Sequence, residues 1–216
     1  MRRCLVLLTF VVLTCSTWLG FTIGQVAASE PGVTVEKNIV YVHVPAAICA
    51  CACFVVLLVA AIAYLKTVNQ KWDYLGAASA EAAFVFATAL NATGCIFARA
   101  FWGCWWTPSP RLVSSAVLWF LAAAYLILRA GIPDRRRRAR FCAVFGIIAF
   151  LDVPMVFATA RFTKDIHIAN VEFENAWQGL AFGLGILGTI LLGVQLIWLK
   201  TDIFRCKARL EEEPSA

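Results

Sequence analysis

The sequence has little charge for its length. Only 15% of its 216 residues are charged, 62% are hydrophobic, and the mean hydropathy is +0.79. A soluble domain carries about 25% charged and about 45–50% apolar residues. The shortage of charge excludes an ordinary soluble domain and predicts an integral membrane protein, which we expect to form a single polytopic domain over residues 1–216.

Sequence motifs for zinc and for covalent haem are also missing. Nine cysteines are present, but no two have the CxxC spacing that zinc pairs and c-type haem attachment use. Cys49, Cys51 and Cys53 alternate, and a helix spreads such residues around its axis instead of gathering them on one face. We interpret them as small apolar residues. The sequence has no catalytic triad, phosphate loop or metalloprotease motif, so we do not predict an enzyme.

Six apolar runs are long enough to cross a bilayer as helices, for which about 20 residues suffice. They cover approximately residues 4–24, 44–65, 76–98, 112–128, 141–160 and 180–199. The first run could instead be a signal peptide, but its charge-free stretch exceeds the usual apolar region of about 7–15 residues. We favour a retained helix. The predicted fold class is an all-α integral membrane protein with six transmembrane helices.

Positive charge is distributed unequally between the two sides of these spans. Of the 19 Lys and Arg residues, 14 fall on the side that holds both termini. The positive-inside rule therefore predicts that both termini are cytoplasmic. The arginine run 135–138 is then a topology anchor, with contact to anionic lipid or to a cytoplasmic partner as the alternative.

Both histidines of the chain, His43 and His167, lie at the outer edge of a predicted span, on the same side as the tryptophan-rich segment 102–106. Imidazole is a common axial ligand of haem iron, and a macrocycle needs a flat apolar or aromatic surface. The alternatives are an interfacial belt for the tryptophans, a helix-capping role for His43 and a solvated loop for His167. Arginines could pair with haem propionates; the candidates are Arg99, Arg111 and Arg161.

Several polar and small residues lie inside the predicted spans. Glu81 and Asp152 are costly there, and a structural role between helices and a role in haem entry are both open. Asn91 and Thr93 are expected to form hydrogen bonds across helices. Close packing of the last helix is expected at Gly183, Gly185 and Gly188.

Three segments of the chain resemble the haem exporter protein C family. The segment 41–47, YVHVPAA, is similar to the family's signature before its second helix. The segment 93–112 is similar to its tryptophan-rich outer loop, and the segment 152–154 with the later His167 to its fifth helix and second histidine. The resemblance covers approximately residues 40–199.

This resemblance implies a six-span, haem-handling subunit of bacterial cytochrome c maturation. It implies that His43 and His167 are axial ligands and that the haem b is bound non-covalently and transiently, at the periplasmic side of the inner membrane. Its implied partners are a periplasmic haem chaperone, ATP-binding cassette subunits and a small membrane subunit, without nucleic acid. The implied haem platform consists of Trp102, Gly103, Trp105 and Trp106, with Arg99 and Arg111 supporting the propionates or the loop.

Two regions depart from the family's pattern. The family's loop usually continues with Trp and Asp before Arg-Leu, whereas this chain has Pro108 and Ser109 there. The family's aromatic residues and its following Gln around the second histidine are also absent near His167. We expect a smaller platform and an altered transfer to the chaperone, with both histidines kept.

Two other classes of protein stay open at this point. One is an electron-transfer subunit with haem b, whose ligands would be expected at mid-span, whereas both histidines lie at span ends. The other is a transporter or structural subunit without haem, which often has paired broken helices. Pro154 marks one possible break, and the sequence offers no second one.

Overall fold

A computed structural model describes residues 2–22, 38–162 and 173–212, and within these ranges every regular element is a helix. The helices form six spans that are long and apolar enough to cross a membrane, and two consecutive helices share the fifth span, Arg135–Thr159. The prediction of an all-α protein with six membrane-long helices is confirmed. The helices are α1 (Arg2–Thr22), α2 (Val40–Thr67), α3 (Gln70–Trp102), α4 (Pro110–Gly131), α5 (Arg135–Phe150), α6 (Asp152–Phe162) and α7 (Ala176–Glu212).

Two helices are much longer than the apolar runs that predicted them. α3 has 33 residues and α7 has 37, which at about 1.5 Å per residue exceeds the roughly 30 Å of a bilayer's hydrocarbon core. α3 begins after Asn69, whose side chain accepts a hydrogen bond from the Lys71 N–H. Its far end carries Trp102 beyond the apolar run, so the helix itself delivers the first tryptophan of the loop.

The fifth span is interrupted at a single residue, Leu151, which keeps right-handed helical angles (φ −60°, ψ −23°) and lies three positions before Pro154, where the sequence marked a possible break. The run 141–160 was expected to form one helix, but α5 ends at Phe150 and α6 begins at Asp152. Proline lacks an N–H, and its ring clashes with the carbonyl four residues earlier. The Leu151 N–H donates to the Ile148 carbonyl at 3.0 Å, and α6 then packs along α4, where the Ser114 and Thr159 hydroxyls lie 3.2 Å apart.

α2 lies at the centre of the bundle, in contact with α3, α5 and α7. Its cysteines are part of the main core beside Phe54 and Leu57, so the interpretation of Cys49, Cys51 and Cys53 as small apolar residues is confirmed. The facing side of α3 is built from alanines, which let the two backbones approach closely.

Ion pairs connect the helices at one end of the bundle, where α3 begins and α4 ends; we call it the basic end. Arg129 donates two hydrogen bonds to Asp73, at 2.8 and 2.9 Å. Lys200 pairs with Glu81, which supports the structural alternative for that carboxylate. We call the opposite end the His43 end. The orientation of either end in a membrane stays a prediction.

α1 packs against α7 through small residues. The Ser16 hydroxyl donates to the Ala181 carbonyl at 2.7 Å. A Cβ added to Gly185 would lie 3.0 Å from the Tyr41 carbonyl oxygen, and one added to Gly188 would lie 2.7 Å from a Leu13 methyl. The packing prediction is confirmed at these two glycines. It is wrong at Gly183 as far as the described residues go, since none of them lies within 4 Å of a Cβ added there.

Gly185→Ala is therefore expected to destabilise the bundle. The new methyl group meets a backbone oxygen that cannot rotate away, and overpacking of this kind costs about 1–3 kcal/mol. The measurement is thermal unfolding of the detergent-solubilised protein. Gly183→Ala is the control on the same helix and should be neutral or slightly stabilising, because alanine favours helix by about 1 kcal/mol over glycine. Equal losses in both variants would contradict the packing argument.

Candidate functional site

Residues from four helices and one loop line a cavity of about 100 Å³ at the His43 end. α2 contributes His43, α3 contributes one wall, and the loop between α3 and α4 closes the outer side. Four of the predicted site residues line this cavity: His43, Trp102, Trp106 and Arg111. Tertiary folding thus brings together side chains that are up to 68 positions apart in the sequence.

His43 is held by a hydrogen bond across helices. Its Nδ1 lies 2.9 Å from the hydroxyl oxygen of Thr93 on α3, and the Thr93 hydroxyl donates to the Ala89 carbonyl at 2.7 Å. With its one hydrogen donated to this carbonyl, the Thr93 hydroxyl accepts from His43. This assigns the imidazole hydrogen to Nδ1, and in the neutral ring it leaves the lone pair that a metal requires on Nε2.

Gly94 allows the imidazole to lie against α3. A Cβ at this position would be 3.3 Å from His43 Cε1, tighter than an ordinary van der Waals contact. In the sequence, Thr93 and Gly94 belong to the segment that resembles the family's outer loop. Nothing in the spacing of residues predicts that both of them contact His43. The expectation that Thr93 bonds across helices is confirmed.

A second hydrogen bond across helices lies beside the same cavity. The Asn91 side-chain amide donates to the Ser115 carbonyl on α4 at 3.2 Å, as the sequence predicted for this amide. Both residues line the cavity. Their contact joins α3 to α4 directly beneath the tryptophan loop, so the loop's two anchoring helices have a defined separation.

Gly103 ends α3 in a left-handed conformation, with φ of 71°. Glycine adopts this conformation without a steric penalty, and it directs the chain away from the helix axis. The Arg99 guanidinium donates to the Gly103 carbonyl, so Arg99 contacts the loop backbone and does not line the cavity. Trp102 packs edge-on against Phe97, with ring centroids 5.8 Å apart.

The two remaining tryptophans of the loop are exposed. Trp105 is 62% exposed and Trp106 is 45% exposed. Trp106 also lines the cavity, whereas Trp105 lies outside its lining. The loop therefore exposes aromatic surface beside the cavity that His43 lines.

Ser109, one of the departures from the family's loop, caps α4. Its side chain accepts a hydrogen bond from the Leu112 N–H, and Pro110 occupies the first helical position. Serine and aspartate are about equally good at this position. The replacement of the family's usual Asp thus keeps the helix start and removes only a negative charge.

His167 lies outside the residues that the structure describes, so its pairing with His43 stays a prediction. Arg161, the third candidate for a propionate contact, is exposed in the last turn of α6. Asp152 has a buried carboxylate oxygen without a hydrogen-bond partner among the described residues. This observation does not decide between a structural role for Asp152 between helices and a role in haem entry.

The cavity is too small to enclose a macrocycle. Pockets that bury a ligand of drug size have about 300–1,000 Å³, compared with the roughly 100 Å³ found here. The exposed tryptophans beside the cavity offer further aromatic surface for the part of a flat ring that the cavity would not hold. Imidazole Nε2, indole faces and the Arg111 guanidinium are together suited to a flat, anionic, metal-bearing ring.

Comparison with known proteins gives a consistent result. Residues 1–212 match the family model described as heme exporter protein C. The chain is 29% identical over 197 residues to heme exporter protein C of Rhodobacter capsulatus, covering 85% of this chain and 78% of that protein. It is 26% identical over 172 residues to heme exporter protein C of Escherichia coli K12, covering 80% of this chain and 69% of that protein.

Proposed function

Because the chain belongs to the haem exporter protein C family, membrane proteins that handle haem for cytochrome c maturation, we propose that it binds haem b non-covalently at its His43 end. We propose further that it presents this haem to a periplasmic haem chaperone. The single observation that carries the proposal is the hydrogen bond from His43 Nδ1 to Thr93, in a cavity shared with Trp102 and Trp106.

His43 is suited to an axial ligand. A histidine that binds a metal usually donates its other ring N–H to a neighbouring acceptor, which sets its tautomer and orientation. Thr93 is such an acceptor, and Gly94 permits the ring's position against α3. In the proposal, Nε2 binds the iron and His167 supplies the second axial ligand.

The tryptophan loop supports the ring from outside. Trp102 and Trp106 line the cavity, and Trp105 adds exposed aromatic surface next to them. Arg111 supplies positive charge for a propionate, while Arg99 acts on the loop through the Gly103 carbonyl. Haem held at such an exposed edge is accessible to an acceptor from water, which a delivery protein requires.

The proposed setting is the inner membrane of a bacterium, with the His43 end on the periplasmic side. The orientation is supported by the distribution of Lys and Arg, and the bacterial setting by the bacterial relatives. The proposed partners are ATP-binding cassette subunits and a small membrane subunit of the maturation complex, in addition to the chaperone. In this role the protein carries haem and does not transform it.

The two alternative functions have weaker structural support. A subunit that transfers electrons through haem b would be expected to hold its iron at mid-span, whereas His43 is the fourth residue of α2. A transporter with paired broken helices would need a second break, and among the described spans only the α5–α6 span is divided.

The experiment that tests the proposal is a titration of the purified protein with haemin, followed by its absorption spectrum in oxidised and reduced forms. We expect a shifted Soret band that saturates at one haem per chain, with the spectrum of low-spin, bis-histidine iron. A variant that carries Trp102→Ala and Trp106→Ala should bind haem more weakly. A spectrum identical to free haemin in detergent would refute the proposed function.

Thr93→Val tests whether the cross-helix hydrogen bond matters. Valine keeps the shape of threonine but cannot accept from His43 Nδ1, so the imidazole loses its fixed tautomer and orientation. Losing such a partner typically weakens metal affinity about 10- to 100-fold, which the same titration measures. Thr17→Val is the control, because among the described residues the Thr17 hydroxyl bonds only the Leu13 carbonyl of its own helix. Unchanged affinity in Thr93→Val would contradict a positioning role.

A further inference from the structure

A cavity of about 630 Å³ at the basic end is bounded by α3, α4, α5 and α7. This volume falls within the range of about 300–1,000 Å³ typical of ligand sites. One part of its wall is apolar and aromatic, including Phe84, Leu126 and Phe204. The rest is polar and charged. The cavity is thus amphipathic and lies at the opposite end of the bundle from His43.

Positive charge dominates the lining of this cavity. Five cationic side chains face two carboxylates. Glu81 is already paired with Lys200, and Arg129 is paired with Asp73 outside the lining. The cationic side chains are Arg129, Arg135, Arg138, Lys200 and Lys207.

One donor in this lining is buried without an acceptor. The Nε of Arg138 has no hydrogen-bond partner among the described residues, although its Nη1 donates to the Ile132 carbonyl at 3.5 Å. Leaving a buried N–H of a charged group unpaired is costly. An anionic oxygen in the cavity would remove that cost.

The arginine run at the start of α5 divides into two sets. Arg136, Arg137 and Arg140 are exposed, as a topology anchor requires, whereas Arg135 and Arg138 turn inward and line the cavity. Cations at a helix N-terminus also oppose the helix dipole. A topology anchor accounts for the exposed arginines but not for the inward pair.

We propose that this cavity binds the headgroup of an anionic phospholipid, with the acyl chains lying along the apolar wall toward the bilayer. The phosphate would pair with Arg138 and Lys207. Basic pockets between transmembrane helices are suited to anionic headgroups, and Phe84 and Leu126 offer the apolar surface that a free phosphate would not use. The site is separate from the haem site at the His43 end.

The test is native mass spectrometry of the detergent-solubilised full-length protein, titrated with phosphatidylglycerol or with phosphatidylcholine. The wild type should prefer phosphatidylglycerol. The double variant Arg138→Gln, Lys207→Gln should weaken its binding by about 10- to 30-fold, since each cation near an anionic lipid contributes roughly a factor of five. The control Lys71→Gln, Arg137→Gln removes two charges from the same end, outside the cavity lining, and should leave binding unchanged.

A second variant covers the case in which the double variant is unstable. Ala130→Phe fills the cavity from its exposed rim without changing charge, and it should also weaken binding of phosphatidylglycerol. Equal binding of both lipids, or equal loss in the test and control variants, would overturn the proposal. Haemin that displaces phosphatidylglycerol and depends on Arg138 would also overturn it, because the occupant would then be haem.

Discussion

His43→Ala is expected to weaken haem binding by about 100-fold or more and to shift or abolish the Soret band of the bound form. Loss of an outer partner of a metal ligand already costs about 10- to 100-fold, and this substitution removes the ligand itself. The measurement is the haemin titration, followed in the oxidised and reduced states. His167→Ala should give a related change, because it would remove the other proposed ligand.

Added imidazole separates loss of the ligand from loss of the fold. His43→Ala leaves a space between α2 and α3 beside Thr93 and Gly94, and free imidazole of the same shape can occupy it. We expect the Soret band of the variant to recover partly in imidazole, with the thermal unfolding midpoint close to that of wild type. An unchanged spectrum in His43→Ala would exclude His43 as a ligand.

Asp73→Asn is expected to destabilise the protein by about 3–5 kcal/mol, the typical cost of breaking a buried ion pair from one side. The Asp73 side chain is 2% exposed and that of Arg129 is 13% exposed. Asparagine would leave the guanidinium charge of Arg129 uncompensated in the basic end of the bundle. Thermal unfolding in detergent measures the loss.

The matched control and the double variant show whether burial causes this loss. Asp202→Asn removes a carboxylate that is 26% exposed from the same end, and exposed pairs contribute only about 0–1 kcal/mol. The double variant Asp73→Leu, Arg129→Met should recover most of the stability, since apolar replacement of a buried pair is often neutral. A small loss in Asp73→Asn, similar to that in Asp202→Asn, would contradict the burial argument.

Hydropathy was sufficient to locate all six spans but not their ends. Only the residues inside the hydrocarbon core must be apolar, so hydropathy marks that part of a span. The helix itself continues beyond the core as long as its backbone hydrogen bonds are satisfied. α3 therefore starts at its Asn69 cap and ends at Gly103, several residues beyond the run 76–98 on both sides. The interruption at Leu151 had a signal in the sequence only at Pro154, whose missing N–H is a local property.

The sequence predicted that the last helix packs closely against its neighbours, but not which of its glycines make the contacts. Small residues on the last helix indicated close packing, yet no described residue lies within 4 Å of a Cβ added to Gly183, whereas Gly185 and Gly188 lie against α1 and α2. All three are glycines in the same apolar segment, so their residue types are equivalent. The rotation of α7 relative to α1 and α2 distinguishes them, and that rotation depends on the whole bundle.

Composition, hydropathy and motif spacing alone determined that this chain is a six-span, all-α membrane protein with a family-like tryptophan loop. Each of these properties depends on residues that are near one another in the sequence. The tertiary structure decided that Thr93 accepts from His43 Nδ1, that Arg99 contacts the loop backbone, and that Arg138 lines a basic cavity. These contacts join residues on different helices or across a turn, and their geometry is set by helix packing, which no local pattern encodes.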